Sequence, residues 1–582
     1  MYITKLAEFF GIQQQKDGTL LNIGTARESV NMETADGNLT VAEDFDTVVE
    51  APSTVDGETW KALFGFERVT SGSILIACST HKIMFHTEAP DSTTWQEILT
   101  FESPSDDVSF DAQLARIWNT DYILVATGIT PIVKIPINEL VAGNPSYSWF
   151  GSDVYYLNEP IAITNVDTTD IKNSIITVSG NALSETESPE TRTRALVYGV
   201  YIMDGQNVKY LLYPDLVEGI SSDGSQITLN LTGCTVTTSN TIQLRGGVSD
   251  KKVGSLELYH DRLWSAGDPE NISRLYWSCA AGEGRTIEDW VSDDYYEDAS
   301  GGHVDVGVAD GDKIVALKAL SDCILIFKVN SVWRLYGDRP SNYTLERISD
   351  EVGALDDSEI ITRYGIPYWL SKDGIYFSDS STCRYTDGEV NYLAELFKGV
   401  ERNARRSACS VPSLRRMFFN VHSNEIGNFI LSRDLATGSY LTFNGAEFID
   451  LCEVDGVPLF MTSDGAVLKR GDNTPMLHSH DGEPLEAKWV SQLMELSNLT
   501  DKKQCRMLFF RASGGRINIK IHSDLGDMET YVSPVEMRTN VIALPVAMAE
   551  ARYMQFTISN VNGSRFKIEG GISICYEKQY EV

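Results

Sequence analysis

The sequence predicts an all-β chain: a β-propeller with an inserted immunoglobulin-like β-sandwich and a C-terminal β-sandwich. Three observations predict it. Strand-period runs dominate, strand-turn-strand units recur along the chain, and helical periodicity is almost absent. Aromatic residues at 10% and 45 glycines agree, because aromatics suit pleated surfaces and glycine suits the tight turns between strands.

The first units begin near Ser71 (SGSILIACSTHKIMF) and Asp121 (DYILVATGITPIVKI), which assigns residues 1–157 to the first part of the propeller. Later units begin near His260, Asp322, Gly365, Arg415 and Gly456, making seven, and place its second part over residues 251–483. Most starts lie roughly 40 to 60 residues apart, the spacing of four-stranded blades. Leu370–Phe377 (LSKDGIYF) and Met461–Leu468 (MTSDGAVL) match closely. Both set Asp-Gly between apolar runs, and Asp-Gly accepts the positive φ of a tight hairpin. Cys323–Phe327 (CILIF) is continuously apolar, as a strand buried on both faces requires.

Between the second and third units lie 139 residues (Asp121 to His260), which returns to blade size once residues 158–250 are set aside. That segment alternates at Ile171–Val178, Ala195–Ile202, Gln226–Leu231 and Thr241–Leu244, the strand number and length of a small immunoglobulin-like sandwich. After Gly482 the repeat stops. Residues 484–582 carry longer strands, among them the strictly alternating Arg516–His522 (RINIKIH), and predict a terminal sandwich. Asn391–Arg406 is the one stretch with the pattern of a helix of two or three turns. A propeller is weakest where its first and last blades meet, so the N-terminal segment is expected to supply a closing strand.

At 582 residues and 64.6 kDa the chain exceeds what one core serves. A net charge of -34 argues against a chain that grips nucleic acid, since phosphate binding is driven by Lys and Arg displacing counterions. The charge reads either as solubility at high local concentration or as a repulsive channel wall. Nine cysteines without a CxxC pair read as reduced, buried thiols. The first residues lack the basic segment, apolar run and cleavage site of a signal peptide, and no stretch has the length of a membrane span. Synthesis in a cytoplasm without stable membrane association is the expectation.

No GxSxG, HExxH, Walker loop or complete GxGxxG is present, and Gly282-Glu-Gly284 fails at the third glycine. Ser371-Lys-Asp373-Gly374 is superficially like the repeated turn of propeller glycosidases but lacks its spacer and tryptophan. No catalytic, cofactor-binding or metal residue is assigned, and no cofactor is expected. Asp293, Asp294, Glu297 and Asp298 form the densest carboxylate cluster. It is a candidate surface contact, with acid-base work on a polysaccharide, a saccharide or cation contact and a plain solvated loop as its readings. His478-Ser-His480-Asp481-Gly-Glu483 holds groups that could converge on a divalent ion or stand exposed in a polar turn. Arg402, Arg405, Arg406, Arg415 and Arg416 gather in an otherwise acidic chain. Guanidinium forks pair with carboxylates and phosphates, so an acidic neighbouring subunit is the first partner; a solvated face and passing DNA are the alternatives. Trp264, Trp277, Trp290, Trp333 and Trp369 sit inside repeat units and read as blade core.

Taken together, these residues resemble a family, the propeller-bearing tail hub or nozzle proteins of short-tailed bacteriophages. In the N-terminal segment the likeness rests on Gly11, Gly18, Ala26, Asn31-Met32 and Gly37-Asn38-Leu39. More specific are Asp261-Arg-Leu-Trp264, Gly267-Asp-Pro269, Tyr276-Trp-Ser278 and Ile287-Glu-Asp-Trp290. Asp310-Gly-Asp-Lys-Ile314, Ile326-Phe-Lys328, Ser331-Val-Trp-Arg-Leu335, Gly353 and Ser371-Lys-Asp-Gly-Ile-Tyr376 follow in the same order. The pattern departs at Val41-Ala-Glu-Asp44, where the family often has Arg-Pro-Gly. The resemblance implies a structural protein of the virion tail, a ring of six copies below the portal and adaptor. Phage DNA would pass through its channel during ejection without tight binding. A tail fibre or receptor-binding protein that contacts or depolymerises host surface polysaccharide is the alternative, and a cellular propeller adaptor the third reading.

Overall fold

The computed structural model describes residues 2–13, 24–67, 72–87, 94–151, 160–184, 195–196, 199–244, 251–282, 285–291, 298–355, 359–386, 393, 395–401, 407–471, 476–495, 503–534, 538–544 and 551–578. They form two compact units, Met1–Glu102 with Ala354–Val582, and Ser103–Gly353.

The chain is all-β, and its repeating element is the four-stranded antiparallel meander of a β-propeller blade. Blade 1 is Trp60–Phe66, Ile74–Ser79, Lys82–Thr87 and Gln96–Thr100; blade 2 is Asp111–Ile117, Thr120–Ala126, Val133–Pro136 and Ser148–Trp149. Blade 3 is Ser255–Tyr259, Arg262–Ala266, Arg274–Trp277 and Gly302–Asp305; blade 4 is Ile314–Ala319, Ile324–Lys328, Val332–Tyr336 and Thr344–Ser349. Blade 5 is Ile361–Arg363, Ile366–Ser371, Gly374–Ser378 and Cys383–Tyr385; blade 6 is Ala408–Val411, Arg416–Val421, Phe429–Asp434 and Tyr440–Phe443. Blade 7 takes Phe448–Val454, Val457–Thr462 and Val467–Arg470 from one part of the chain and its fourth strand, Phe45–Val49, from the N-terminal segment.

Turn chemistry explains the hairpins. Asp455 and Gly456 both take positive φ, 52° and 76°, which twists the first turn of blade 7 to match its strands. Of the two matched Asp-Gly pairs, Gly465 adopts φ 87°, whereas Gly374 opens its strand without positive φ.

Between consecutive blades of one unit, contact is made by the first strands. In the first unit Ile361–Arg363 packs on Ala408–Val411, that strand on Phe448–Val454, and that in turn on Trp60–Phe66. In the second, Asp111–Ile117 packs on Ser255–Tyr259 and that on Ile314–Ala319. Apolar layers fill the interfaces, with Phe418, Phe448 and Phe460 between blades 6 and 7 and Trp264, Leu317 and Ile326 between blades 3 and 4. Polar side chains latch the same strands: Asp111 Oδ2 accepts from Leu256 N at 2.8 Å, Asp450 Oδ2 from Leu63 N at 2.6 Å and Ser407 Oγ from Leu451 N at 3.0 Å. Each latch gives a backbone N–H of a first strand a side-chain acceptor from the neighbouring blade or the segment leading into it.

Seven strands within residues 161–244 make the inserted sandwich, in the order Asn207–Leu212, Val200–Asp204, Thr241–Leu244, Ile161–Asp167, Ser174–Val178, Gln226–Leu229, Val217–Ile220. Lettered A to F with C′ after C, one layer reads A-B-E-D and the other C′-C-F, an immunoglobulin-like arrangement without its last strand. The first strand joins both layers through a register shift between Ile163 and Asn165. Ile176, Ile202, Ile227 and Ile242, all fully buried, hold the layers together.

In the terminal sandwich, Lys503–Gly514, Thr539–Ala543 and Phe566–Lys578 form one sheet. Tyr2–Leu6 and Leu39–Val41, the latter paired with Met32–Glu33, also add to it. The second sheet holds Lys488–Ser491, Ile517–Ser523, Gly526–Val532 and Tyr553–Asn560. Ala26–Val30 pairs antiparallel with Lys488–Ser491 and in parallel, at Val30 and Thr442, with blade 6, fusing that blade and the terminal sheet. Most strands before Phe45 thus belong with residues 484–582 rather than with the first propeller segment, because Leu6, Leu39 and Val41 bury against Leu508, Ile568 and Ile572. The helix expected over Asn391–Arg406 is also absent among the described residues. Glu395–Gly399 is a turn that anchors Phe397 in the core, Gly399 takes φ 67°, and Val400 bridges to Ser423.

Candidate functional site

Of the carboxylate cluster, Asp293, Asp294 and Glu297 lie outside the described residues, and Asp298 proves to be a structural tie. Its carboxylate accepts from Ser341 Oγ at 2.6 Å and Arg339 Nη1 at 3.2 Å, contacts that hold it below the usual carboxylate range. Its backbone carbonyl accepts from Arg262 Nη2 at 2.6 Å. Arg262 is itself buried and also donates to the carbonyls of Ser278 and Ser300, each at 2.7 Å, and of Ala299 at 3.4 Å, so one guanidinium serves four carbonyl groups.

Among the clustered arginines, Arg402, Arg405 and Arg406 also lie outside the described residues. Arg415 is exposed in the first turn of blade 6, at φ 53°. Arg416 corrects the docking expectation: it is turned inward and bonds Glu33 at 2.6 Å, while Arg470 Nη1 holds the other oxygen of Glu33. Burial raises the Glu33 pKa, but the two guanidiniums outweigh it and leave the group below its ordinary value. The guanidinium of Arg470 also lies 4.5 Å from the Phe443 ring centre. A buried glutamate needed these partners, a requirement invisible in the spacing of the arginines.

The histidine segment does not converge. His480 Nε2 is 3.7 Å from Asp464, and His478 uses its backbone N–H on Asp44 Oδ1 at 2.8 Å. Among the described residues no three His, Cys, Asp or Glu side chains stand together as metal ligands. Trp264 and Trp369 are fully buried and Trp277 nearly so, in blade cores. Burial also pushes the Cys279 and Cys323 thiols up to about 11, which keeps them protonated and unreactive at neutral pH.

Residues 261–264, 267–269, 276–278, 287–290, 310–314, 326–328 and 331–335 carry the internal clamps of blades 3 and 4. Trp264 Nε1 donates to Tyr259 O at 3.0 Å, and Tyr276 Oη donates to Asp268 at 2.5 Å. Glu288 receives Lys134 Nζ from blade 2 and Gly151 N, both at 2.8 Å, with both charged side chains almost wholly buried. Lys328 Nζ bonds Asp310 at 2.6 Å and the carbonyl of Val306 at 2.8 Å, and Asp312 accepts from Ser331 Oγ at 2.8 Å.

In the first unit an open cleft of about 630 Å³ lies where Ala26–Val30 meets blade 6 and the turn Glu395–Gly399. Arg27, Glu28, Lys398, Ile426, Phe429 and Gln555 contribute to its walls. Of its three carboxylates, Glu28 is engaged by Lys488 at 3.0 Å and Glu395 by Lys398 at 2.5 Å, and Glu425 lies on the same wall as Ile426 and Phe429. The cleft therefore offers a mixed, amphipathic surface rather than a pair of free carboxylates. Sequence reading missed it because its walls come from seven separated stretches, none with a motif of its own. It missed Glu257 too, which is buried on the first strand of blade 3 with Lys318 at 3.5 Å.

This architecture defines the class: an all-β propeller protein with an immunoglobulin-like insertion and a terminal sandwich. No family model matches the chain, and no curated protein matches it as a relative. Among solved structures it is similar to BamB from Moraxella catarrhalis, at 8% identity and TM-score 0.33, covering 81% of this chain and 99% of that one. The AfRom2 CNH domain gives 8% and 0.33, over 74% of this chain and 99% of that one. An exo-beta-1,3-galactanase from Phanerochaete chrysosporium gives 9% and 0.22, over 59% and 98%. Scores at this level carry no statement about ligand or activity.

Proposed function

We propose that this chain is a structural protein of a bacteriophage tail, a nozzle or hub whose six copies surround the path of genome ejection. The observation that carries the reading is what the family-like segments do. Arg262, Asp268, Glu288, Asp310, Asp312 and Lys328 all direct their polar groups into the blades, as clamps of a stiff frame. A signature made of clamps suits a wall that must hold its shape, and the reading assigns no residue a catalytic role. The net charge of -34 supports DNA passage, because a negative wall repels phosphate along its length. Portal, adaptor and other tail proteins are the partners in this reading, and the virion tail is its place.

The alternative, a fibre that contacts host polysaccharide, is favoured by one observation. Tyr147 and Trp149 stand exposed at the outer strand of blade 2 with ring centres 5.7 Å apart and planes at 76°, two aromatic faces of the kind sugars stack on. Electron microscopy of virions labelled with an antibody to this chain separates the two. Label on the tail axis is the expected result; label on lateral appendages, with turnover of capsular polysaccharide, favours the fibre. Particles that take no label, intact or disrupted, overturn both.

A further inference from the structure

We propose that the outward face of the terminal sheet formed by Tyr2–Leu6, Phe566–Lys578, Lys503–Gly514 and Thr539–Ala543 docks onto the acidic surface of a second copy of this chain.

Side chains directly opposite one another in a ladder share a face, and alternate residues share it too. In this sheet one such row is the core: Leu508 lies opposite Ile574 on one side and Ile542 on the other, all buried. The rows flanking it point outward. Ile3 and Met507 both oppose Cys575, and Phe509 opposes Val541. Ile3 is 69% and Val541 54% exposed on the outer strands, with Met507 and Phe509 half-buried and Cys575 buried between them, so the apolar surface open to solvent lies along the two outer strands, beside the polar Lys5 and Ser573. A sheet that meets water on its outer face normally alternates apolar with polar. The other sheet of this sandwich does so, with Asn518 bonded to Glu529 and His522 to Asp527 on its outer side. Apolar rows on both faces of a sheet mark a surface that is covered in use.

Charge identifies the cover. Residues 484–582 hold twelve Lys and Arg against eleven Asp and Glu, a net +1, so residues 1–483 carry -35 to make the total of -34. On the apolar face Lys5 and Arg511 are exposed, and among the described residues neither makes an ion pair. An acidic surface therefore complements this face, and another copy of the chain presents one. Face-to-face pairing of two identical patches would set like charges together, so the contact is heterologous, of the type that builds rings or filaments. The argument uses nothing of the tail reading, although it would supply that ring with its contact.

The test is sedimentation velocity of the purified full chain across concentration and salt. Self-association is expected at low salt, weakening as NaCl rises from about 0.05 M to about 0.5 M. Ile3→Glu and Val541→Glu should each raise the dissociation constant about tenfold or more. Val208→Glu, at an equally exposed position of the inserted sandwich, should leave it unchanged, and melting curves check that each variant folds. A chain that stays monomeric up to about 100 µM overturns the proposal. So does association that ignores both variants, or that strengthens with salt. A virion without this chain would sink the tail reading and leave this result standing.

Discussion

Glu257 shows how one side chain in a blade interface sets a pH dependence. Burial pushes its carboxyl up to about 7, Lys318 pulls against that, and Asp111 adds to it. The folded pKa lies above the ordinary value of 4.5, so between those two values the folded protein holds a proton that the unfolded chain releases. Stability from this site is therefore present at low pH and is lost as pH rises through 7. Glu257→Gln should gain about 2 to 3 kcal/mol over the natural chain between about pH 5 and about pH 8. Urea denaturation of both proteins at the two pH values measures it; an equal difference at each would show that Glu257 does not titrate in this window. Nothing in Ser255–Tyr259 announces this, because the shift comes from strands of two other blades. Arg416 teaches the converse, since its neighbours in sequence suggested a surface role and Glu33 gave it a buried one.

Among elements, Phe45–Val49 is the most exposed to test. It completes blade 7 from about 420 residues away in sequence (Val49 pairs with Val467), and Val49 is fully buried beside Trp60, Leu75 and Met461. Val49→Asp should cost about 3 kcal/mol or more, since it buries a carboxylate without a partner. Limited proteolysis should then cut within Val457–Arg470 well before other blades, whereas Val457→Asp, at an exposed position, should leave the pattern unchanged. The need for a closing strand was legible in the repeat logic, and so were the hairpins, whose partners are neighbours in sequence. The strands Met32–Glu33 and Leu39–Val41 were not, being too short for an alternation to register and paired, through Leu39 and Ile568, across more than 500 residues.

For the whole molecule, charge gives the sharpest expectation. With 82 acidic against 48 basic residues, the chain should fail to retard a DNA duplex at about 0.15 M salt and up to about 50 µM protein. Retardation in a gel-shift assay, with a steep salt slope, would mean that a local basic surface overrides the net charge. The tail reading needs DNA to pass, so tight binding would count against it. The candidate cleft was illegible because Arg27, Lys398, Phe429 and Gln555 reach it from separate stretches.

By itself the sequence determined what depends on neighbours along the chain: strand period, turns, blade spacing, an insertion near residues 158–250 and a change of pattern after Gly482. Those signals are local because a hairpin pairs residues only a few positions apart. Tertiary structure alone decided which side chains are charged partners, which strands from the N-terminus join the terminal sandwich, and which faces stay open. Burial and opposite charge act through space, so Glu33 with Arg470, Leu39 with Ile568 and Ile3 with Cys575 find each other only once the chain is folded.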